Sequence, residues 1–221
     1  MALVFVLGTV CAVSAGADGE TVPKRTIMVY AVGSNLEANT YLFTDKIDEF
    51  LNSPYNENLD MIVITGGTTE WHTPAEYLDG AEEIDVEYDQ IWKVVGKKDG
   101  EEHGVLKLIE PTGMPGYEKA NMGAPETLTA FIDYCFENYP ADIYDIILWD
   151  HGGGPVGGYG RDDRFETMIR LPQLAGAFSD SKLIREGKRF ELIDFDACLM
   201  SNVTVVTACT ASLIWLAKNR S

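Results

Sequence analysis

Basic residues are scarce: 17 Lys and Arg stand against 35 Asp and Glu, a formal charge of −18. A chain with that balance repels phosphate backbones and anionic lipid head groups, which excludes nucleic acid and membrane surfaces as partners. Cationic peptides, by the same argument, are drawn in. Cysteine is sparse as well, with four in the chain, and the three beyond Cys11 (Cys135, Cys198 and Cys209) cannot all pair with one another. That odd number excludes a disulfide scaffold and leaves a thiol to be accounted for. Only three histidines occur, and no second His or Cys stands at ligand spacing around His151, so no metal site is read there.

Long apolar runs are absent too. The longest, Ala2 to Ala15, is too short to span a bilayer and ends in Ser14-Ala15-Gly16-Ala17. It reads as the apolar core and cleavage site of a signal peptide over residues 1–17, although no Lys or Arg precedes it. The expected location is therefore secreted or cell envelope, with no membrane contact beyond this segment. Gly8-Thr9-Val10 before Cys11 fit a lipid-attachment pattern poorly, so Cys11 reads as a small apolar residue of the leader. Repeats, low-complexity tracts and an interdomain linker are also missing, and 221 residues at 46% hydrophobic content provide for one domain with a sizeable core.

What is present is an alternation of buried strands and amphipathic helices. Thr26 to Val32 is a continuous apolar run ending in Gly33-Ser34-Asn35, and Met61 to Ile64 is another, ending at Gly66-Gly67. Both read as strands buried on two faces of a parallel sheet. Between them Leu42, Phe43, Ile47, Phe50 and Leu51 recur at helical spacing until Pro54. Residues 71–110 differ: Gln90 to Val95 and Val105 to Ile109 lie between charged and Gly-containing turns and predict a small antiparallel ribbon.

Further on, Pro125 opens a helix with Leu128, Phe131, Ile132 and Cys135 on one face. Asp145 to Trp149 is a third buried strand, running into Asp150-His151-Gly152-Gly153-Gly154, and Phe190 to Phe195 is a fourth, running into Asp196-Ala197-Cys198. A polar loop over 155–167 and a helix over 171–178 separate them. This order argues for an open, mostly parallel α/β sheet, in which ligands bind beyond the carboxyl ends of the strands. His151 and Cys198 both fall there.

A thiol becomes a nucleophile when an imidazole takes its proton, and the same imidazole then protonates the leaving amine of a peptide. Cys198 and His151 suit those roles, with the backbone amides of Gly152 and Cys198 as candidate oxyanion donors. Taken singly, each also has a structural reading, since cysteine is among the most buried residue types and a His before glycines can simply close a strand. His72 and His103 are expected to face solvent.

Several blocks, taken in order, carry a resemblance. Thr26-Ile-Met-Val-Tyr-Ala-Val-Gly-Ser-Asn-Leu-Glu37, Thr65-Gly-Gly-Thr68 with Trp71-His72, Asn121-Met-Gly-Ala-Pro-Glu-Thr-Leu128, Ile147-Leu-Trp-Asp-His-Gly-Gly-Gly154 and Phe195-Asp-Ala-Cys-Leu-Met200 together resemble the clostripain family of cysteine peptidases. The resemblance covers residues 25–206 and implies a caspase-like three-layer α/β/α sandwich around a mostly parallel sheet. It implies cleavage after Arg or Lys, with His151 as general acid/base, Cys198 as nucleophile and Asp196 lining the pocket for the basic side chain. A carboxylate there is sensible, because a desolvated Arg or Lys needs an opposite charge; its structural reading is a turn former at a strand end.

Family members are commonly cut within the loop after the His-bearing strand, which makes Arg161 and Arg164 processing candidates, expected in an exposed segment. No cofactor is required. Some relatives use calcium, for which Asp162 and Asp163 offer oxygen ligands, although no EF-hand pattern is present. The resemblance ends at Val206, and residues 207–221 read as a divergent or truncated tail, so the fold is expected to be incomplete. Two other readings follow: a catalytically inactive fragment or binding module of the same fold, and a phosphate-cradling ligand-binding protein. The second is weak, because His-Gly-Gly-Gly matches neither the phosphate-loop nor the dinucleotide pattern.

Overall fold

The computed structural model describes residues 21–212. The expected signal peptide and the apolar Leu213 to Leu216 lie outside the described residues. In chain order the elements are β1 (Arg25–Val32), α1 (Ser34–Thr40), α2 (Leu42–Leu51), β2 (Leu59–Gly66), β3 (Leu78–Asp79), β4 (Gln90–Val95) and β5 (Val105–Glu110). There follow α3 (Pro125–Asn138), β6 (Ile143–Trp149), β7 (Gly152–Gly153), α4 (Gly154–Gly157), β8 (Gly158–Asp162), β9 (Thr167–Ile169), α5 (Leu171–Asp180), α6 (Lys182–Arg185), β10 (Leu192–Asp196) and α7 (Val203–Cys209).

Seven strands form the central sheet in the order β10-β6-β1-β2-β4-β5-β3. The four strands expected from the apolar runs are neighbours and parallel, with Val29 in register with Val63 on one side and Ile147 on the other. The predicted ribbon is real, but it is not separate: β4 pairs antiparallel with β2 and extends the sheet. Its apolar Ile91, Trp92 and Val94 are buried, which is what a strand inside a covered sheet requires.

Alternate residues of β1 serve two cores. Met28, Tyr30 and Val32 meet Leu128, Phe131, Ile132 and Cys135 of α3, together with Leu174 and Phe178 of α5 and Val205 of α7. Val29 and Ala31 face Phe43, Ile47 and Leu51 of α2 on the opposite side. Each helix thus spends its apolar stripe, spaced three and four residues apart, on one face of the sheet. Truncating a side chain such as the fully buried Phe131 to Ala would cost roughly 3–5 kcal/mol. The result is the three-layer α/β/α sandwich of the caspase-like kind.

Residues 155–167, read as a loop, are instead largely structured. β7, β8 and β9 make a small second sheet over the carboxyl ends of the parallel strands. Strands this short and glycine-rich have little intrinsic preference for the state, and tertiary bonds hold them. The Tyr159 hydroxyl donates to the Tyr30 carbonyl at 2.8 Å, and the Asp163 amide donates to the Gly67 carbonyl at 3.0 Å. At the other end α7 runs across Val206 without a break, and the Phe190 amide donates to the Ser212 carbonyl at 3.0 Å.

Candidate active site

β6 and β10 are adjacent and parallel, with Trp149 in register with Asp196. His151 and Cys198 each follow two residues later, so they emerge level with one another at the sheet edge, from strands spaced ~4.8 Å apart. Gly152 closes the gap between the two turns. A β-carbon there would stand 2.0 Å from the Cys198 carbonyl oxygen and 2.6 Å from the Met200 side chain. Only glycine lets the histidine turn dock on the cysteine turn this closely.

The cysteine turn is itself sharply shaped. Leu199 takes a left-handed backbone with φ 62°, and Met200 is buried beneath it, while Asn202 donates its side-chain amide to the Leu199 carbonyl at 2.8 Å. Cys198 is thereby left exposed at the tip. The other described cysteines are buried: burial pushes the Cys135 thiol well above its usual range and that of Cys209 up to about 11. Neither can readily supply a thiolate, and Cys198 carries the accessible thiol among the described residues.

On the histidine side, the imidazole Nε2 donates to the Asn35 side-chain oxygen at 2.8 Å. One residue earlier in each segment, the Ser34 hydroxyl donates to the Asp150 carboxylate at 2.6 Å. Asp150 is buried and also accepts from the Arg161 amide. Burial pushes its carboxyl up to about 7, against the hydrogen bonds from Ser34 and from the His151 and Arg161 amides. Ser34, Asn35 and Asp150 carried no assigned role in the sequence reading. Their signal was positional: small polar residues directly after the carboxyl ends of adjacent parallel strands.

Asp196 lies on the α2 face of the sheet, where Asp194, Glu49, Lys46 and Trp149 help line a cavity of about 140 Å³. Its carboxylate is half exposed and 3.8 Å from the Lys46 ammonium, which also binds Glu49 at 2.9 Å. Burial raises the Asp194 carboxyl, with the neighbouring Asp196 charge adding to the effect and Lys46 opposing it. The site chosen for a basic side chain is acidic, and a lysine of the same chain already leans on it.

The two arginines of the β7–β9 sheet have different fates. Arg161 is partly exposed and pairs with Asp163 at 2.7 Å. Arg164, expected in an exposed segment, is enclosed: its guanidinium reaches the buried Asp89 at 2.6 Å, Asp162 at 2.9 Å and the Ala120 carbonyl at 3.0 Å. Burial still pushes the Asp89 carboxyl up to about 7 against the pull of Arg164. Asp162, read as a calcium ligand, also accepts from the Met122 amide at 2.9 Å, and among the described residues no group of three or more His, Cys, Asp and Glu is placed to hold a metal. His72 and His103, expected to face solvent, are partly buried: His72 bonds the Ala38 carbonyl at 3.0 Å and packs at a tilt against the Tyr41 ring, and His103 packs edge-on to Tyr77.

Comparison with known families matches residues 29–212 to the clostripain family. The chain belongs to the clostripain family. Clostripain from Hathewaya histolytica is 31% identical over 202 residues, which cover 82% of this chain and 35% of that protein. A secreted C11 cysteine protease from Bacteroides thetaiotaomicron, solved with an irreversible peptide inhibitor, superposes with a TM-score of 0.63 at 21% identity, covering 87% of this chain and 47% of the other. An inactive zymogen C11 protease from Parabacteroides distasonis gives a TM-score of 0.54 at 24% identity, covering 88% of this chain and 48% of the other. The chain thus spans between about a third and about half of the length of these relatives. The family match runs past Val206, through the last turn of α7.

Proposed function

We propose that this chain is a cysteine endopeptidase that cuts peptide bonds after Arg or Lys. The observation that carries the reading is the level placement of the exposed Cys198 and the partly buried His151 at the sheet edge, with Gly152 docked on the cysteine backbone. His151 takes the Cys198 thiol proton, and the thiolate attacks the scissile carbonyl carbon. Negative charge then gathers on the carbonyl oxygen, where the Gly152 and Cys198 amides are the proposed donors. Collapse breaks the C–N bond, His151 returns the proton to the leaving amine, and water hydrolyses the thioester. No cofactor enters these steps.

Asp196 is the proposed partner of the basic substrate side chain, with Trp149 as the adjoining wall of its cavity. Arg161 is the better-placed processing candidate, because Arg164 is held between two buried carboxylates. Export is part of the proposal, from the leader-like start and from a neighbour described as secreted; no described helix is long and apolar enough to cross a membrane. One observation favours the second reading, an inactive fragment or binding module: Lys46 occupies the approach to Asp196.

Covalent labelling separates the two. A peptidyl chloromethyl ketone ending in Arg is expected to alkylate Cys198, identified by peptide mass spectrometry, with an Ala-ending analogue reacting far more slowly. Equal labelling by both reagents, or none at Cys198, contradicts the proposal.

A further inference from the structure

Two consecutive residues of one turn engage two consecutive residues of another. Ser34 bonds Asp150 at 2.6 Å, and Asn35 bonds His151 at 2.8 Å. The first contact is buried and the second lies at the surface, so the first acts as the foundation of the second. Ser34 is fixed from several directions: its amide donates to the Gly67 carbonyl at 3.2 Å, and its carbonyl accepts from the Thr68 hydroxyl at 2.7 Å. Its backbone is left-handed, with φ 47°, a costly conformation for a residue with a side chain. Such strain persists where surrounding contacts over-determine it, and here its consequence is to present Asn35 to the imidazole.

The chemistry of that contact is specific. An amide oxygen only accepts, so Nε2 must carry the proton it donates, and in the neutral ring Nδ1 is then the free base. We propose that Asn35 is a positioning residue for His151, holding the ring in the tautomer and orientation that present Nδ1 to the Cys198 thiol. The role deepens the thiol-imidazole reading above and rests on it. The side-chain hydrogen bond of Asn35 goes to the imidazole, so it acts through the ring, as an acceptor that also steadies the imidazolium once the proton has moved.

The test follows iodoacetamide alkylation of Cys198 across pH 5–10 in the 221-residue chain, read by mass spectrometry, so that it needs no turnover. Cys198 is exposed while Cys135 and Cys209 are buried, which keeps the readout on one thiol among the described residues. Wild type, His151→Ala, Asn35→Ala and Asn35→Asp are compared. Asp150, which titrates nearby, is common to all four, so differences between profiles belong to the substituted residue. Asn35→Ala is expected to lose roughly tenfold in rate near pH 7 and to move toward the His151→Ala profile, while Asn35→Asp, which keeps an acceptor, stays within a few-fold of wild type. If His151→Ala reacts like wild type, the thiol-imidazole reading falls and takes this role with it. If His151→Ala differs but Asn35→Ala matches wild type, or if Asn35→Asp is as impaired as Asn35→Ala, the positioning role alone is overturned.

Discussion

The backbone of Gly152 lies so near that of Cys198 that a β-carbon on the glycine would stand 2.0 Å from the cysteine carbonyl oxygen. Because that oxygen is main chain, an added methyl cannot be met by rotating a side chain away. Gly152→Ala must push the two turns apart. The expected outcome is a loss of roughly a hundredfold in Cys198 labelling by the Arg-ending chloromethyl ketone, the scale of a displacement of about an ångström. Stability should fall by only about 1–3 kcal/mol, since the contact is at the sheet edge. Labelling rates and thermal melting of the same preparation check both.

Arg164 is structural by this account. Its guanidinium answers two fully buried carboxylates, Asp89 and Asp162. Arg164→Met leaves both without their cation and is expected to destabilise the fold by about 3–5 kcal/mol, measured by urea unfolding. Arg161→Met, which removes an exposed and solvent-screened surface pair, should leave the urea midpoint close to that of the unsubstituted protein.

Asp150 makes stability depend on pH in a set direction. Its folded carboxyl titrates at about 7, above the ordinary value of 3.8. Between those values the folded chain keeps a proton that the unfolded chain has lost, so stability falls as pH rises from about 4 to about 7. The slope from this group is at most about 1.4 kcal/mol per pH unit. Asp150→Asn, which keeps an oxygen acceptor without the charge, should remove it. Urea midpoints for both proteins across pH 4–8, compared by difference, give the answer.

Lys46 competes with any basic side chain that reaches Asp196, from 3.8 Å away. The pair is partly exposed and therefore weak, worth less than about 1 kcal/mol. Lys46→Met is expected to lower KM for an Arg-containing peptide by up to about fivefold and to leave kcat unchanged. An unchanged KM would detach Lys46 from the specificity site.

Legibility in the sequence followed the physics of each element. Thr26 to Val32 and Asp145 to Trp149 were readable because strands buried on both faces leave an unbroken apolar run, and α3 because Leu128, Phe131, Ile132 and Cys135 repeat at helical spacing. The site edge was readable from β6 and β10, since His151 and Cys198 each stand two residues past the end of one of them. The β7–β9 sheet was not, because it rests on Tyr159 and Asp163 reaching backbone carbonyls that lie far away in the chain. Arg164 misled for the same reason: nothing local marks Asp89, 75 residues earlier, as its partner. Asn35 stood within a recognised block, but its meeting with His151 depends on β1 and β6 being neighbours.

The most direct measurement is hydrolysis of short fluorogenic peptides ending in Arg, Lys or a neutral residue, by the 221-residue chain beside its Cys198→Ala variant. The account predicts turnover of the Arg and Lys peptides alone, lost in the variant. Turnover that survives Cys198→Ala, or that ignores the basic residue, would contradict it, as would a folded chain that cleaves none of them.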